Sequence, residues 1–189
     1  ASAEILEVIS GSMANPQPVF DAILDSCARL FGAGDPAICL IDGDTLRIGA
    51  YRGEFVEEVK RAFPRPLAGT VSALAAQQGG VLYRPSVLAA PDLPGYIREI
   101  ARQRGDFSVV NAPMVWNGTP VGTLDIICTP PRTFTEVDLA QVKTFADQAV
   151  IAIQNARLFN ETTEALDQQR ASSEVLAAIS NSIADAQPV

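Results

Sequence analysis

The residues able to do chemistry in this sequence are few, and histidine is not among them. The 189 residues include three cysteines and no histidine. Without an imidazole the chain offers no His-based general acid or base, no Cys–His or Ser–His nucleophile pair and no axial histidine for haem. It also has no histidine to accept a phosphoryl group. We therefore identify no catalytic residue.

The three cysteines, Cys27, Cys39 and Cys128, lack the spacing of a metal or redox motif. Each has apolar neighbours in the sequence, which favours buried free thiols in a reducing cytoplasm. The chain also contains no glycine-rich phosphate loop, no paired-carboxylate motif and no metal-binding constellation. We therefore expect a cytoplasmic protein without a metal site.

Polar residues that could contact a ligand lie in the second half of the chain. Thr123 and Asp125 alternate with the apolar residues of a predicted strand, so they project away from its apolar side. Asp125 is an unusual residue for a central strand. Asn111 joins it only if the hairpin between the predicted strands 108–116 and 119–128 contains a three-residue loop or a bulge. With a two-residue loop and no bulge, Asn111 lies opposite Leu124 and projects to the other face.

Further candidates come from the segment that precedes these strands. Residues 84–107 hold three prolines, two glycines and mixed charge, which predicts a long loop with one helix near residues 96–104. Loops of this kind often act as lids or binding loops. Its candidate contacts are Tyr96, Arg98 and Asp106. The alternative for all six candidates is that they hydrogen-bond to one another or face water.

The elements that must position these residues follow from hydrophobic periodicity and turn signals. Asn117-Gly118 between two apolar runs is a strong hairpin signal. In chain order we predict a helix from Pro16 to about residue 31, strands over 37–41 and 45–51, helices over 54–63 and 70–78, a short strand over 81–83, and strands over 108–116 and 119–128.

The last predicted helix begins after Thr135, a good N-cap residue followed by Glu136 and Asp138 in the first turn. No proline or glycine interrupts it from Glu136 to about residue 183. Its first half is apolar enough to cover a sheet. The second half thins to scattered leucines and isoleucines among polar residues, so we expect a partner helix, and hence a homodimer.

The two ends of the chain resemble each other. Residues 2–19 align without gaps on residues 172–189, and ten of the 18 positions are identical. The two copies are offset by 170 residues, which is too long for the repeat of a solenoid but suits a domain plus its connector in a tandem array. The chain therefore reads as one module with the joint to each neighbour attached, and such helical joints usually relay signals between domains.

Composition excludes several kinds of partner. With 48% hydrophobic residues the chain can bury a core, so disorder is not expected. The net charge is −8 and no segment concentrates basic charge. We therefore expect no binding to nucleic acid and no membrane contact by this segment.

Several segments in this order resemble a GAF domain of bacterial signalling proteins, of the type found in tandem-GAF sensor kinases and cyclases. The resemblance rests on residues 108–114 (SVVNAPM), 118–124 (GTPVGTL), Phe134-Thr135 with Asp138, and 145–156 (FADQAVIAIQNA). It divides the chain into residues 1–14 as the end of an upstream connector helix, 15–160 as the sensory domain, 161–184 as a connector helix and 185–189 as the start of the next repeat.

The resemblance implies an α+β fold of GAF or PAS type. A central antiparallel sheet of five to six strands would carry helices on one face, flanked by long N- and C-terminal connector helices. Loops on the other face would enclose a small-molecule pocket. The implied function is a non-enzymatic sensory module of a two-component or related system, which relays a signal to neighbouring domains through a dimeric coiled-coil linker.

The resemblance also limits the cofactors. A bilin would need a pocket cysteine and, in most such domains, an adjacent histidine, and neither pattern is present. Haem ligated by histidine is excluded by composition. The Asn-Lys…Phe…Asp-Glu signature of cyclic-nucleotide GAF domains is missing, so a cyclic nucleotide stays open but unsupported.

Two other functions compete with ligand sensing. In the first, the module is a ligand-free spacer and dimerisation domain whose pocket is filled by its own side chains, such as Leu93, Phe107 and Met114. In the second, it is a thiol-based redox sensor or reductase, since one enzymatic branch of this fold reduces free methionine sulfoxide with pocket cysteines.

Overall fold

The computed structural model describes residues 14–32 and 34–184, without the side chains of Val175 and residues 177–184. The chain divides into a domain unit, Pro16–Ala152, and a second unit formed by the two terminal segments. The first copy of the terminal repeat lies largely outside the described residues, as do residues 185–189, where the next repeat is expected to start. The same holds for residues 1–13 of the expected upstream connector helix.

The described residues form five helices and six strands. In chain order they are α1 (Gln17–Phe31), β1 (Gly34–Asp42), β2 (Thr45–Tyr51), α2 (Val56–Ala62), β3 (Arg65–Pro66), α3 (Val71–Gln78), β4 (Leu82–Arg84), α4 (Gly95–Arg104), β5 (Ser108–Trp116), β6 (Thr119–Cys128) and α5 (Glu136–Ala184). Most expected elements are present within two residues of their predicted bounds. The largest difference is β1, which begins at Gly34 instead of residue 37.

The six strands form one sheet in the order β3-β2-β1-β6-β5-β4. Every pair of neighbours is antiparallel. β1 and β6 are therefore central, and the short strands β3 and β4 form the edges. This arrangement confirms the expected α+β fold with an antiparallel sheet.

Helices contact the sheet in two regions. α1 packs against β1 and β2 through buried residues that include Phe20, Leu24 and Cys27. α3 packs against β5 and β6, and together with α4 it contributes to an apolar cluster around Phe107 and Val109. The face of the sheet that carries Thr123 is thus covered by two short helices as well as by loops.

The hairpin between β5 and β6 has the predicted two-residue turn. Asn117 and Gly118 both have positive φ, of 48° and 79°, as a type I′ turn requires. A bulge follows within a few residues, because Met114 pairs with Gly122 whereas Val115 pairs with Pro120. The turn and the bulge together set the register of the rest of the hairpin.

The start of α5 is capped as the sequence predicts. The backbone N–H of Asp138 donates to Thr135 Oγ1 at 3.2 Å, and the backbone N–H of Thr135 donates to Asp138 Oδ2 at 2.9 Å. This reciprocal pair satisfies donors that a helix N-terminus leaves open. Among the described residues, no helix combines the length and apolar character needed to cross a membrane.

Candidate functional site

Asn111 and Asp125 form a hydrogen-bonded pair in the middle of the sheet. The bulge in the hairpin places them directly opposite each other on β5 and β6. Asn111 Nδ2 donates to Asp125 Oδ1 at 2.6 Å. The sequence predicted that this pair would form only with a longer loop or a bulge, and the structure contains the bulge.

Hydroxyl and thiol groups surround the Asp125 carboxyl. Thr123 Oγ1 donates to Ser72 Oγ on α3 at 3.0 Å, and both residues are buried. The Cys39 thiol, opposite Thr123 on β1, lies within hydrogen-bonding range of the same carboxyl. Although Asp125 keeps some solvent exposure, loss of hydration raises its pKa, and the hydrogen-bonding groups of Thr123, Asn111, Cys39 and Ser72 offset only part of this effect.

The other half of the Asn111 amide is unpaired. Asn111 is only 3% exposed, and its Oδ1 accepts no hydrogen bond from any residue that the structure describes. A buried polar atom without a partner costs roughly 1–3 kcal/mol, and more than nine in ten such atoms are paired in folded proteins. A buried carbonyl oxygen is therefore available at this point of the sheet.

Tyr96 on α4 completes the arrangement from above the sheet. Its hydroxyl accepts from the backbone N–H of Val71 at 3.3 Å, and the guanidinium of Arg65 lies 4.4 Å from its ring centroid. Burial raises the pKa of Tyr96, and the charge of Asp125 adds to that increase. Tyr96 is thus close to the sheet residues, and we use "polar cluster" for Cys39, Ser72, Tyr96, Asn111, Thr123 and Asp125.

Two of the six sequence candidates lie outside the polar cluster. Arg98 follows Tyr96 by two positions, and residues so spaced on a helix project about 200° apart. Its Nε is buried without a partner among the described residues. Asp106 instead organises a loop, accepting hydrogen bonds from the Ser86 hydroxyl at 2.6 Å and the backbone N–H of Leu88 at 3.1 Å. Burial acts to raise the pKa of Asp106, but these hydrogen bonds together outweigh burial, so the pKa is lowered.

Two residues of the polar cluster, Cys39 and Ser72, and the neighbouring Arg65 were not identified as candidates from the sequence. Cys39 projects beside Asp125, which the sequence did not predict. Alternation along β1 indicates which residues share a face with Cys39. It does not indicate that Cys39 lies opposite Thr123, because that depends on the pairing of β1 with β6. Ser72 and Arg65 reach the cluster only through packing between distant segments.

The thiols themselves are poorly disposed to react. All three cysteines are free and buried, as the sequence predicts. Burial raises the pKa of Cys27 to about 12 and that of Cys39 well above its usual value. Burial also raises the pKa of Cys128. Since the thiolate is the nucleophile, none of them is activated near neutral pH.

The candidate filler residues divide between two regions. Leu93 and Phe107 are buried in the apolar cluster with α3 and α4. Met114 is also buried, but alternation along β5 places it on the face opposite Asn111. A solvent-open groove of about 270 Å³ shares no residue with the polar cluster, and it is lined by Ile41, Leu67, Ala73, Ala76, Gln77 and Pro120.

The fold corresponds to a class of α+β sensory domains. The family model described as "GAF domain" matches residues 14–154, which is most of the chain. The chain therefore belongs to the GAF domain family, a family of sensory and regulatory modules. A comparison with curated protein sequences found no match.

Solved structures show the same fold at low sequence identity. A GAF domain/HD domain protein from Geobacter sulfurreducens superposes with a TM-score of 0.67 at 15% identity, covering 79% of this chain and 98% of that one. The GAF-B domain of DevS from Mycobacterium smegmatis gives 0.59 at 23% identity, covering 78% and 99%. Free methionine-R-sulfoxide reductase from Neisseria meningitidis, in complex with its substrate, gives 0.63 at 20%, covering 80% and 86%.

Proposed function

We propose that this chain is a non-enzymatic sensory module of a multidomain signal-transduction protein. It binds a small molecule at the polar cluster and relays the signal through α5 in a homodimer. The observation that carries the proposal is the pair of buried Asn111 and partly buried Asp125, in which an unpaired carbonyl oxygen lies beside a carboxyl whose charged form is destabilised by loss of hydration. Folding alone is better served by apolar residues at such positions, since buried polar groups cost free energy unless they are fully paired.

The positions of the cluster residues support a regulatory role. They come from β1, α3, α4, β5 and β6, so a molecule that touches several of them also touches two short helices and the central sheet. A ligand shifts a conformational equilibrium only through its different affinity for the two states. Binding that tightens α3 and α4 over the sheet provides such a difference.

The state of the thiols favours binding over catalysis. The reductase from Neisseria meningitidis shows that a protein with this fold can act on free methionine sulfoxide. In this chain the pKa of every cysteine is raised by burial, and no histidine is present to activate one. Three unpaired thiols also fit a reducing cytoplasm, where the proposal places the module.

The second half of α5 supports the dimer. Leu166 and Leu176 are both exposed on it. A helix that exposes leucines among charged and polar residues gains stability by packing against another helix. We propose that two copies pair through this segment and that neighbouring domains of the same polypeptide, arranged in tandem, receive the change.

A second function, the ligand-free spacer, also has an observation in its favour. Leu93 and Phe107 fill the space between α3, α4 and the sheet, as a self-filled pocket requires. The spacer and the sensor differ in one outcome, which is whether the folded chain retains a small molecule.

Native mass spectrometry of the full chain, purified gently from cells, tests the ligand part of the proposal. We expect an additional mass on the folded protein that is lost in denaturing spectra of the same sample. Folded protein of bare polypeptide mass in every preparation would contradict the sensor and support the spacer.

Sedimentation equilibrium tests the dimer with a matched pair of variants. Leu166 on α5 is 49% exposed and Leu88 in the loop before α4 is 47% exposed, so each loses a similar apolar surface on replacement by serine. We expect Leu166→Ser to weaken self-association several-fold and Leu88→Ser to leave it unchanged. Equal association of wild type and both variants, or a monomeric wild type at high concentration, would contradict pairing through α5.

A further inference from the structure

The unpaired atom at the polar cluster has a defined chemical character. Asn111 Nδ2 donates to Asp125 Oδ1, so the amide carbonyl is directed away from the carboxyl. While Asp125 is ionised, its carboxylate only accepts hydrogen bonds, and this fixes the orientation of the Asn111 amide. The buried Asn111 Oδ1, unpaired within the described part of the chain, is therefore an acceptor that requires an N–H or O–H donor.

The charges near the cluster largely offset one another. Asp125 carries the negative charge, and Arg65 carries a positive charge 4.4 Å from the ring centroid of Tyr96. The charge of Arg65 lowers the pKa of Tyr96, and the charge of Asp125 raises it. A strongly charged ligand would meet one favourable and one unfavourable partner in a site of reduced hydration, so the site favours a molecule without net charge.

We infer that the ligand is a small uncharged molecule with an amide-type N–H, as in a lactam or ureide, which donates to Asn111 Oδ1. The inference rests on the proposed function, because it names the ligand chemistry of the same site. The neighbouring hydroxyls of Ser72, Thr123 and Tyr96 can exchange hydrogen bonds with the polar groups that accompany such an N–H.

Three probes of similar size separate the possible chemistries. 2-Piperidone carries the N–H, N-methyl-2-piperidone lacks it, and piperidinium is a cation. We would titrate each into the uniformly ¹⁵N-labelled full chain and follow the side-chain amide signal of Asn111. We expect 2-piperidone to shift this signal and to bind roughly tenfold more tightly than the N-methyl compound, since one hydrogen bond is worth about this factor.

A pair of variants tests the role of the amide itself. Asn111→Leu keeps the approximate size of the side chain but removes the acceptor. Followed by the backbone amide signals of Ser72 and Thr123, 2-piperidone binding to this variant should be weaker by roughly tenfold or more. Asn155→Leu replaces an exposed asparagine on α5 and should leave binding unchanged. Dispersed backbone signals would show that each variant is folded.

Protonation of Asp125 provides a second readout. A protonated Asp125 can donate to Asn111 Oδ1 and occupy the acceptor, so affinity for 2-piperidone should fall as pH decreases. The neighbouring Cys39 thiol and Tyr96 hydroxyl do not compete in this range, because burial raises the pKa of both groups and they stay neutral. Asp125→Asn should abolish the pH dependence even if Asn111→Leu fails to fold.

The outcomes distinguish this inference from the proposed function. Equal binding of the two piperidones overturns the donor requirement, and tighter binding of piperidinium overturns the preference for an uncharged ligand. If no probe moves the Asn111 signal at tens of millimolar, the inferred ligand class is wrong. A mass adduct in native spectra would still uphold the sensory function in each of these cases.

Discussion

Asn111 lies directly opposite Asp125 in the β5–β6 ladder, and its side-chain amide donates to the carboxyl at 2.6 Å. This pairing exists because β6 contains one residue more than β5 within the bulge, where Val121 is left without a partner. A regular two-residue hairpin would place Asn111 opposite Leu124 and direct its amide to the other face. One inserted residue therefore builds the polar cluster.

Replacement of Asp125 by asparagine should stabilise the protein in a pH-dependent way. The folded-state pKa of Asp125 is raised by burial above its ordinary value of 3.8. Its contribution to stability is therefore fully present below pH 3.8 and is lost as pH rises through the raised pKa. Relative to wild type, Asp125→Asn should be more stable at pH 7, where the wild-type carboxyl is ionised, and should differ little near pH 4.

Urea unfolding of both proteins between pH 4 and pH 8 measures this difference. Because all other ionisable groups are shared, their titration cancels in the comparison. A stability difference that stays constant over the whole range would show that Asp125 has no raised pKa in the folded state.

Gly122 should tolerate no side chain. A Cβ at this position would lie 2.2 Å from the backbone oxygen of Cys39 and 2.3 Å from Cε of Met114. The backbone of a central strand cannot move away easily, so we expect Gly122→Ala to destabilise the fold by about 3 kcal/mol. At Gly80 a Cβ would meet no atom within 4 Å, which makes Gly80→Ala the matched control. Thermal unfolding that ranks the two variants equally would argue against this close strand contact.

Thr135 should contribute to stability through its cap on α5. Its hydroxyl accepts from the backbone N–H of Asp138, and Thr135→Ala should cost about 1 kcal/mol. Thr144 is an exposed threonine inside the same helix whose hydroxyl donates to Ala140 O. Thr144→Ala should change the free energy of unfolding little, since alanine has the higher helix propensity. Chemical denaturation of both variants checks the ranking, and an equal loss in both would remove the cap as the cause.

The cysteines should react slowly with a thiol reagent. With a pKa of about 12 for Cys27 and raised values for Cys39 and Cys128, almost no thiolate is present in the folded protein at pH 8. We expect labelling by a disulfide reagent to be at least about a hundredfold slower in the folded chain than in urea. Rapid modification of one thiol in the folded state would instead favour the redox function.

Local patterns were sufficient for much of the architecture. Strands β2, β5 and β6 have the bounds that alternation and the Asn117-Gly118 turn predict, and α5 begins at its predicted cap. Such signals depend on neighbours in sequence, so a single chain carries them. The polar character of Asp125 in a central strand was visible in the same way.

Contacts between distant segments were not predictable by these means. Cys39 and Ser72 reach Asp125 through the pairing of β1 with β6 and the packing of α3, which join residues that are far apart along the chain. Arg98 shows the converse, because the spacing of two residues on the predicted helix was sufficient to place it on the side away from Tyr96.

By itself, the sequence determined the elements, the antiparallel hairpin, the absence of imidazole chemistry and Asp125 as an unusual strand residue. The tertiary structure alone decided that Asn111 faces Asp125, that its carbonyl oxygen is unpaired within the described residues and that a thiol and two hydroxyls join them. The physical reason is that turn and periodicity signals act over a few residues, whereas a bulge changes the register of a whole hairpin and packing brings separate strands and helices to one point.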